Sequence, residues 1–298
     1  MNHYQTPSLF QTNTPTAVSL GTFDGLHVAH QKVINGAVVS PYPSVVFAIE
    51  KQGETETRLL QHQHKLQLLE DMGVDHFIQT PLSSLCHLSP EEFFQTYLVE
   101  KLQAKEVVCG FNFRFGKNAA GDVALLKSLC QQAGITLTVI PEVTLEGQAV
   151  SSTRVRAAIA QGDFPLVTRL LGRPYAFTAR VQQGRQLGRV LGFPTLNQQI
   201  PTDMPALPTG VYAVLASWEG STYMGVCNLG KHPTIDELSA PLAETYLLDF
   251  QDDAYDKDIT LSFIEFLRAE RTFGSLDKLQ YAIELSVLEA RQVLKEYL

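Results

Sequence analysis

Two histidines three residues apart, His27 and His30, follow a glycine-bracketed turn in the stretch GTFDGLHVAH, Gly21 to His30. The apolar run Ala17 to Leu20 before it reads as a short strand, so the order is strand, turn, helix start. At this spacing both imidazoles share one helix face. They would stand beside backbone amides that attract anions at a helix N-terminus. Neutral imidazoles there can steady a transferring phosphoryl group. The same pair also suits a plain surface position or part of a metal site, and the local spacing does not choose among these.

Further groups with chemical potential follow. GFNFRFGKNAAGD, Gly110 to Asp122, comes after an apolar run at Glu106 to Cys109, which puts it at the carboxyl end of the same expected sheet. SSTRVR, Ser151 to Arg156, precedes a helical pattern, so hydroxyls, unpaired amides and two guanidiniums can converge on one anion. Later, GRQLGRVLGFPTLN, Gly184 to Asn197, offers three glycines and two arginines before a Pro-Thr-Leu-Asn segment read as a turn. Glu244 falls on an expected strand, where a lone carboxylate is by itself most often part of a solvated face.

The elements that must position these groups differ between the two halves. Up to about Gly172, short apolar runs at 17–20, 44–49, 76–79, 106–109 and 135–140 alternate with helical patterns, which predicts parallel β/α units. Ser89, Pro90 and Glu92 form a capping box ahead of an apolar stripe at Phe93, Tyr97, Leu98 and Leu102. After LLGRPY the rhythm turns to β-rich segments at 211–217, 222–226, 244–250 and 259–266, which predicts an antiparallel sheet or small barrel. Leu276, Leu279, Ile283, Val287, Ala290 and Leu294 then give a closing helix one apolar face. No flexible linker composition marks the boundary near Arg173 to Ala176.

Composition narrows the class. The chain has 298 residues, 45% of them hydrophobic, enough for two domains with separate cores. There is no long apolar segment, and the first residues have neither a basic start nor an apolar core, so a cytoplasmic protein without a membrane span is expected. Cys86, Cys109, Cys130 and Cys227 form no CxxC pair, which argues against a zinc site or a disulfide framework. With 31 carboxylates against 23 Lys and Arg and no basic run, nucleic acid is not an expected partner.

GTFDGLHVAH resembles the GxFDGxHxGH signature of nucleotidyltransferases, in the form found in bacterial bifunctional riboflavin kinase/FAD synthetases. The likeness continues in order. GFNFRFG resembles GxNFRFG, SSTRVR resembles SSTxIR, and GRQLGRVLGFPTLN resembles GxxxGRxxGxPTAN. GVCNLGKHPT (Gly225 to Thr234), ETYLLDF (Glu244 to Phe250) and FLRAERTFGSLDKL (Phe266 to Leu279) resemble GVxNxGxxPT, ExHLLDF and FLRxExxFxSLxxL. The resemblance implies an α/β chain. A Rossmann-like nucleotidyltransferase domain (1–173) would precede a small antiparallel β-barrel riboflavin kinase domain with a C-terminal helix (174–298).

The activity implied is phosphorylation of riboflavin by ATP to FMN, then adenylylation of FMN to FAD with release of pyrophosphate. The residues implied are His27, His30 and Glu244 for catalysis. Nucleotide contacts would come from Gly21, Phe23, Asp24, Gly25, Asn112, Arg114, Ser152, Thr153, Arg156, Gly184, Gly188, Arg189, Gly192, Thr195 and Asn197. Arg268 and Glu270 would touch the flavin, and Thr195 and Asn197 would hold Mg²⁺, with ATP as co-substrate. Riboflavin, FMN and ATP are then the partners of a monomer or weak homo-oligomer. Ala29 stands where the family usually has glycine, and Phe47-Ala48-Ile49-Glu50-Lys51 replaces FxPHP with flexible charged residues. A riboflavin kinase whose first domain only binds or regulates, and a non-catalytic flavin or nucleotide sensor, are the alternative readings.

Overall fold

The computed structural model describes residues 1–50, 57–184, 188, 192–230 and 241–297. The chain forms two compact units, Met1–Glu56 with His62–Ser152, and Thr57–Gln61 with Thr153–Leu298.

In the first unit, β1 (Asn2–Tyr4), β2 (Thr16–Gly21), β3 (Ser44–Glu50), β4 (His76–Pro81), β5 (Ala104–Gly110) and β6 (Thr136–Ile140) form one parallel sheet in the order β1-β4-β3-β2-β5-β6. The five expected apolar runs all became strands. β2 and β3 are almost wholly buried, as a sheet covered on both faces requires. Strand β1 gave no signal, because three residues are too few for alternation to show. From β2 the chain steps outward through β3 and β4, then returns to place β5 on the other side of β2. The order reverses there, so a crevice opens at the carboxyl ends of β2 and β5.

The α-helices of the unit among the described residues are α1 (Val28–Val38), α2 (His62–Asp71), α3 (Pro90–Phe93) and α4 (Val123–Ala133). The Ser89 capping box is present: its Oγ accepts from the Glu92 N–H at 3.1 Å, and the Glu92 carboxylate accepts from the Ser89 N–H at 2.7 Å. After one α turn the segment widens to π-helical spacing over Phe94–Lys101, with the Leu102 N–H bonded to the Tyr97 carbonyl at 2.8 Å. A two-residue hairpin, β7 (Thr144–Leu145) and β8 (Gln148–Ala149), turns through Glu146 and Gly147, both at positive φ.

α5 (Ser152–Gln161) starts on the last residue of the first unit and continues in the second, which adds α6 (Phe164–Leu171), β9 (Tyr175–Arg180), β10 (Thr195–Gln199), β11 (Gly210–Trp218), β12 (Ser221–Gly230), β13 (Leu242–Leu247) and β14 (Asp258–Ala269). All pairings are antiparallel, in the order β10-β13-β12-β11-β14-β9. The sheet curls until its two edges meet. Gln182 bridges to Asn197, and the Gln198 amide donates to the Ala179 and Ile259 carbonyls at 2.5 and 2.9 Å. Pro-Thr-Leu-Asn is therefore not a turn: Thr195 and Asn197 lie on β10, held by its ladder to β13. The expected strand over 244–250 ends at Leu247.

One face of this sheet packs Tyr175, Phe177, Tyr212 and Phe263 with Phe164 of α6, all buried. The other face receives the closing helix α7 (Leu276–Leu294), whose Ala290 and Leu294 are buried against Val211, Ala213, Leu215 and Val226. Only the carboxyl-terminal half of α7 enters this core. Leu276 is 66% exposed, and Leu279 and Ile283 border a cavity instead.

Candidate functional site

The first unit holds a cavity of about 810 Å³ at the reversal point. It is built on a strained turn. Phe23, Gly25 and Leu26 all have positive φ (49°, 75° and 44°), a costly run that persists because Phe23 and Leu26 are buried to 1%. His27 then caps α1, its Nδ1 accepting from the His30 N–H at 3.2 Å. The two imidazoles stack with centroids 3.6 Å apart, and the Phe23 ring meets His30 edge-on at 5.4 Å. Because His27 Nδ1 accepts a hydrogen bond, its Nε2 carries the proton of the neutral ring.

Burial, then the neighbouring His27 and Lys65, hold the His30 pKa well below its ordinary value, against a raising hydrogen bond at the Asp24 backbone. His30 is thus a neutral imidazole at neutral pH. Its Nδ1 is buried and lacks a hydrogen-bond partner among the described residues, which suits a polar ligand.

Gly21, Phe23, His27, His30, Asn112, Arg114 and Ser152 line this one cavity. Asn112 and Arg114 ride on a loop anchored by aromatic packing: Phe113 stacks on Phe115 at 5.8 Å, and Phe115 bridges to Gly121. Gly116 must be glycine, since its φ is 73° and a Cβ would come within 2.7 Å of the Pro90 backbone. Ser152 Oγ donates to the Asp24 carbonyl at 3.0 Å, tying the start of α5 to the turn. Gly25 acts through the turn. Thr153 and Arg156 do not line the cavity; the Arg156 guanidinium donates to the Thr57 carbonyl at 2.6 Å.

The second unit carries a cavity of about 390 Å³ between the amino-terminal half of α7 and the sheet. Gly188, Thr195, Glu244, Arg268 and Glu270 line it. Asn197 is buried directly beneath Gly184, where a Cβ would strike its amide at 2.4 Å, and its Oδ1 has no partner among the described residues. A buried, unsatisfied oxygen two residues from the Thr195 hydroxyl fits a hard cation that completes its shell with phosphate and water. Gly192, at φ 82°, serves the turn into β10, and Arg189 lies outside the described residues. Arg268 Nε donates to Ser286 Oγ at 3.1 Å, and the guanidinium lies over Phe273 at 5.8 Å.

The FAD synthetase family model matches residues 9–154, and the riboflavin kinase family model matches residues 171–294. A bifunctional riboflavin kinase/FMN adenylyltransferase of Pseudomonas fluorescens is 36% identical over 284 residues, spanning 92% of this chain and 91% of its own. The chain belongs to that family. A relative in Bacillus subtilis (strain 168) is 32% identical with the same coverage. A crystal structure from Streptococcus pneumoniae, described as a macrolide-efflux protein, superposes with a TM-score of 0.89 at 25% identity over 97% of this chain and 98% of its own. No helix among the described residues here is long and apolar enough to cross a membrane. With both family models matched in one chain, the bifunctional reading stands above a riboflavin kinase with a degenerate first domain.

Departures from the family pattern have local explanations. Glu50, in place of the PHP segment, is not a flexible charge: Lys65 Nζ lies 3.4 Å from it and the Gln79 amide donates to it at 2.9 Å. Lys51 lies outside the described residues. Asp256 has φ 59°, the conformation glycine would take freely. Ser286, on α7, accepts from Arg268 at 3.1 Å.

Sequence reasoning gave no role to Asn228, Tyr246 and Phe273 in the second cavity, although each lies in a motif quoted above, nor to Phe111 and Pro141 in the first. Alternation along β12 could have found the face of Asn228, but not its neighbours.

Proposed function

We propose that this chain makes flavin cofactors in two steps. The second cavity transfers the γ-phosphoryl of ATP to the terminal ribityl hydroxyl of riboflavin, and the first joins FMN to the adenylyl group of another ATP, releasing pyrophosphate. The carrying observation is that one chain matches both family models and opens a cavity at the motifs of each.

In the phosphorylation step, Glu244 accepts the proton of the attacking hydroxyl. Arg268 and Glu270 hold the flavin. Thr195 and Asn197 hold Mg²⁺, which when bound neutralises phosphate charge, while the backbone at Gly184, Gly188 and Gly192 lets the phosphates approach. In the adenylylation step, the His27 imidazole donates to the phosphate oxygens where charge develops, positioned by its stacking on His30. Asn112, Arg114 and Ser152 position the nucleotide, and Thr153 and Arg156 act from outside the cavity through the first turns of α5. By motif, these functions divide the chain at 1–173 and 174–298.

Purified protein incubated with riboflavin, ATP and Mg²⁺, with flavins resolved by chromatography, yields FMN and then FAD. FMN without FAD overturns the adenylylation step, and neither product overturns both.

A further inference from the structure

The strand registers of the second unit place five residues in one line across the sheet. Asn197 is opposite Glu244, Glu244 is opposite Asn228, Asn228 is opposite Val211, and Val211 is opposite Arg268. Residues directly opposite share a face and bring their Cβ atoms to about 5 Å. The neighbouring line runs Thr195, Tyr246, Val226 and Ala213 on the same face. α7 covers Ala213 and Val226 from one side; Glu244, Asn228, Val211 and Arg268 line the cavity, and Asn197 lies buried at the end of the line.

Asn228 has no role in the assignments above. It is partly buried and lines the cavity beside Glu244, and no hydrogen bond of its side chain is found among the described residues. A side-chain amide held in a sheet, lining a cavity and without a partner among the described residues, points to a polar ligand. Gly230 adds to this: a Cβ there would lie 2.6 Å from Glu270 Oε1 and 3.6 Å from Asn228 Nδ2, so the glycine lets Glu270 approach the same corner. The order along the line is then a cation-suited amide oxygen, a carboxylate, a neutral amide, an apolar surface and a guanidinium.

This order matches a polyol chain ending in a flat apolar ring. Vicinal hydroxyl oxygens stand about 3 Å apart, so a carboxylate and an amide on adjacent strands can each take one of two neighbouring hydroxyls. The geometry points to Asn228 as a specificity residue that hydrogen-bonds the hydroxyl adjacent to the one Glu244 deprotonates, selecting substrates that end in a vicinal diol. The inference rests on the phosphorylation reading above.

The test is a cycle between side chain and substrate. Riboflavin is compared with 4′-deoxyriboflavin, which lacks only the adjacent hydroxyl, in the full-length wild type and in Asn228→Ala. The wild type loses about tenfold or more in kcat/KM on the deoxy substrate. Asn228→Ala loses a similar factor on riboflavin and phosphorylates the two substrates with nearly equal kcat/KM. Asn228→Ser, which keeps a hydroxyl on a shorter arm, regains part of the discrimination and covers the case in which the alanine variant folds poorly. Wild-type discrimination that persists undiminished in both variants overturns the inference, as does a wild type indifferent to the missing hydroxyl. A wild type that forms no FMN from riboflavin instead removes the underlying phosphorylation reading.

Discussion

The two cavities are built on opposite plans. The first rests on one short contiguous stretch, Gly21 to His30, in which a left-handed turn, a histidine cap and a stacked imidazole pair follow one another within ten residues. The second is assembled from a line across five strands, with no two of its members adjacent in the chain. Local strain and burial set the chemistry of the first, whereas ladder register sets that of the second. One site should therefore be vulnerable at single backbone positions and the other at single side chains.

The largest expected separation comes from Glu244→Gln. It lowers FMN formation from riboflavin about 10²- to 10⁴-fold and leaves FAD formation from supplied FMN intact, as measured by chromatography of each half-reaction. His30→Gln gives the mirror image, with FAD formation down about 10²- to 10³-fold and FMN formation unchanged. Loss of both activities in either variant would break the picture of two independent sites.

Next in size is Gly116→Ala. It adds a Cβ against the Pro90 backbone at a φ of 73° and should destabilise the first unit by about 2 kcal/mol. In a denaturant titration FAD formation is lost at lower concentration than in the wild type, while the midpoint for FMN formation stays put.

The pH dependence is a gentler probe. The unfolded chain takes up a proton at His30 near the ordinary value of 6.5, and the folded chain only at lower pH. The contribution of His30 to stability is thus whole above pH 6.5 and drains as pH falls below it. His30→Gln should flatten that acid loss in a thermal-melt series. Smallest is Asp256→Gly, where relief of φ 59° is offset by a looser unfolded chain, and the exposed Arg180 contact at 3.9 Å adds little. The net change stays within about 0.5 kcal/mol by melting.

This contrast also explains what could be read in advance. The parallel strands of the first unit, the Ser89 capping box and the histidine turn were legible because each is encoded by neighbours in sequence. Asn112 and Ser152 joined His27 and His30 as their positions after strand ends implied. Thr195 and Asn197 were misread as a turn, since proline and asparagine carry turn signals that the ladder to β13 overrides. The placing of Asn228 beside Glu244 and the π-helical widening after Phe93 depend on pairing and packing that no local pattern reports.

Gln61 shows where such long-range dependence reaches furthest. This residue sits in the sequence among elements of the first unit, yet its side-chain amide donates to the Thr178 carbonyl at 2.9 Å and accepts from the Thr178 N–H at 2.7 Å. It imitates a neighbouring strand along the outer border of β9. Expressing residues 174–298 alone would discard this guard, together with the Arg58 N–H bond to the Asp203 carbonyl. A kinase fragment cut there would present a sticky edge that the intact polypeptide conceals, and self-association of the fragment would be its signature.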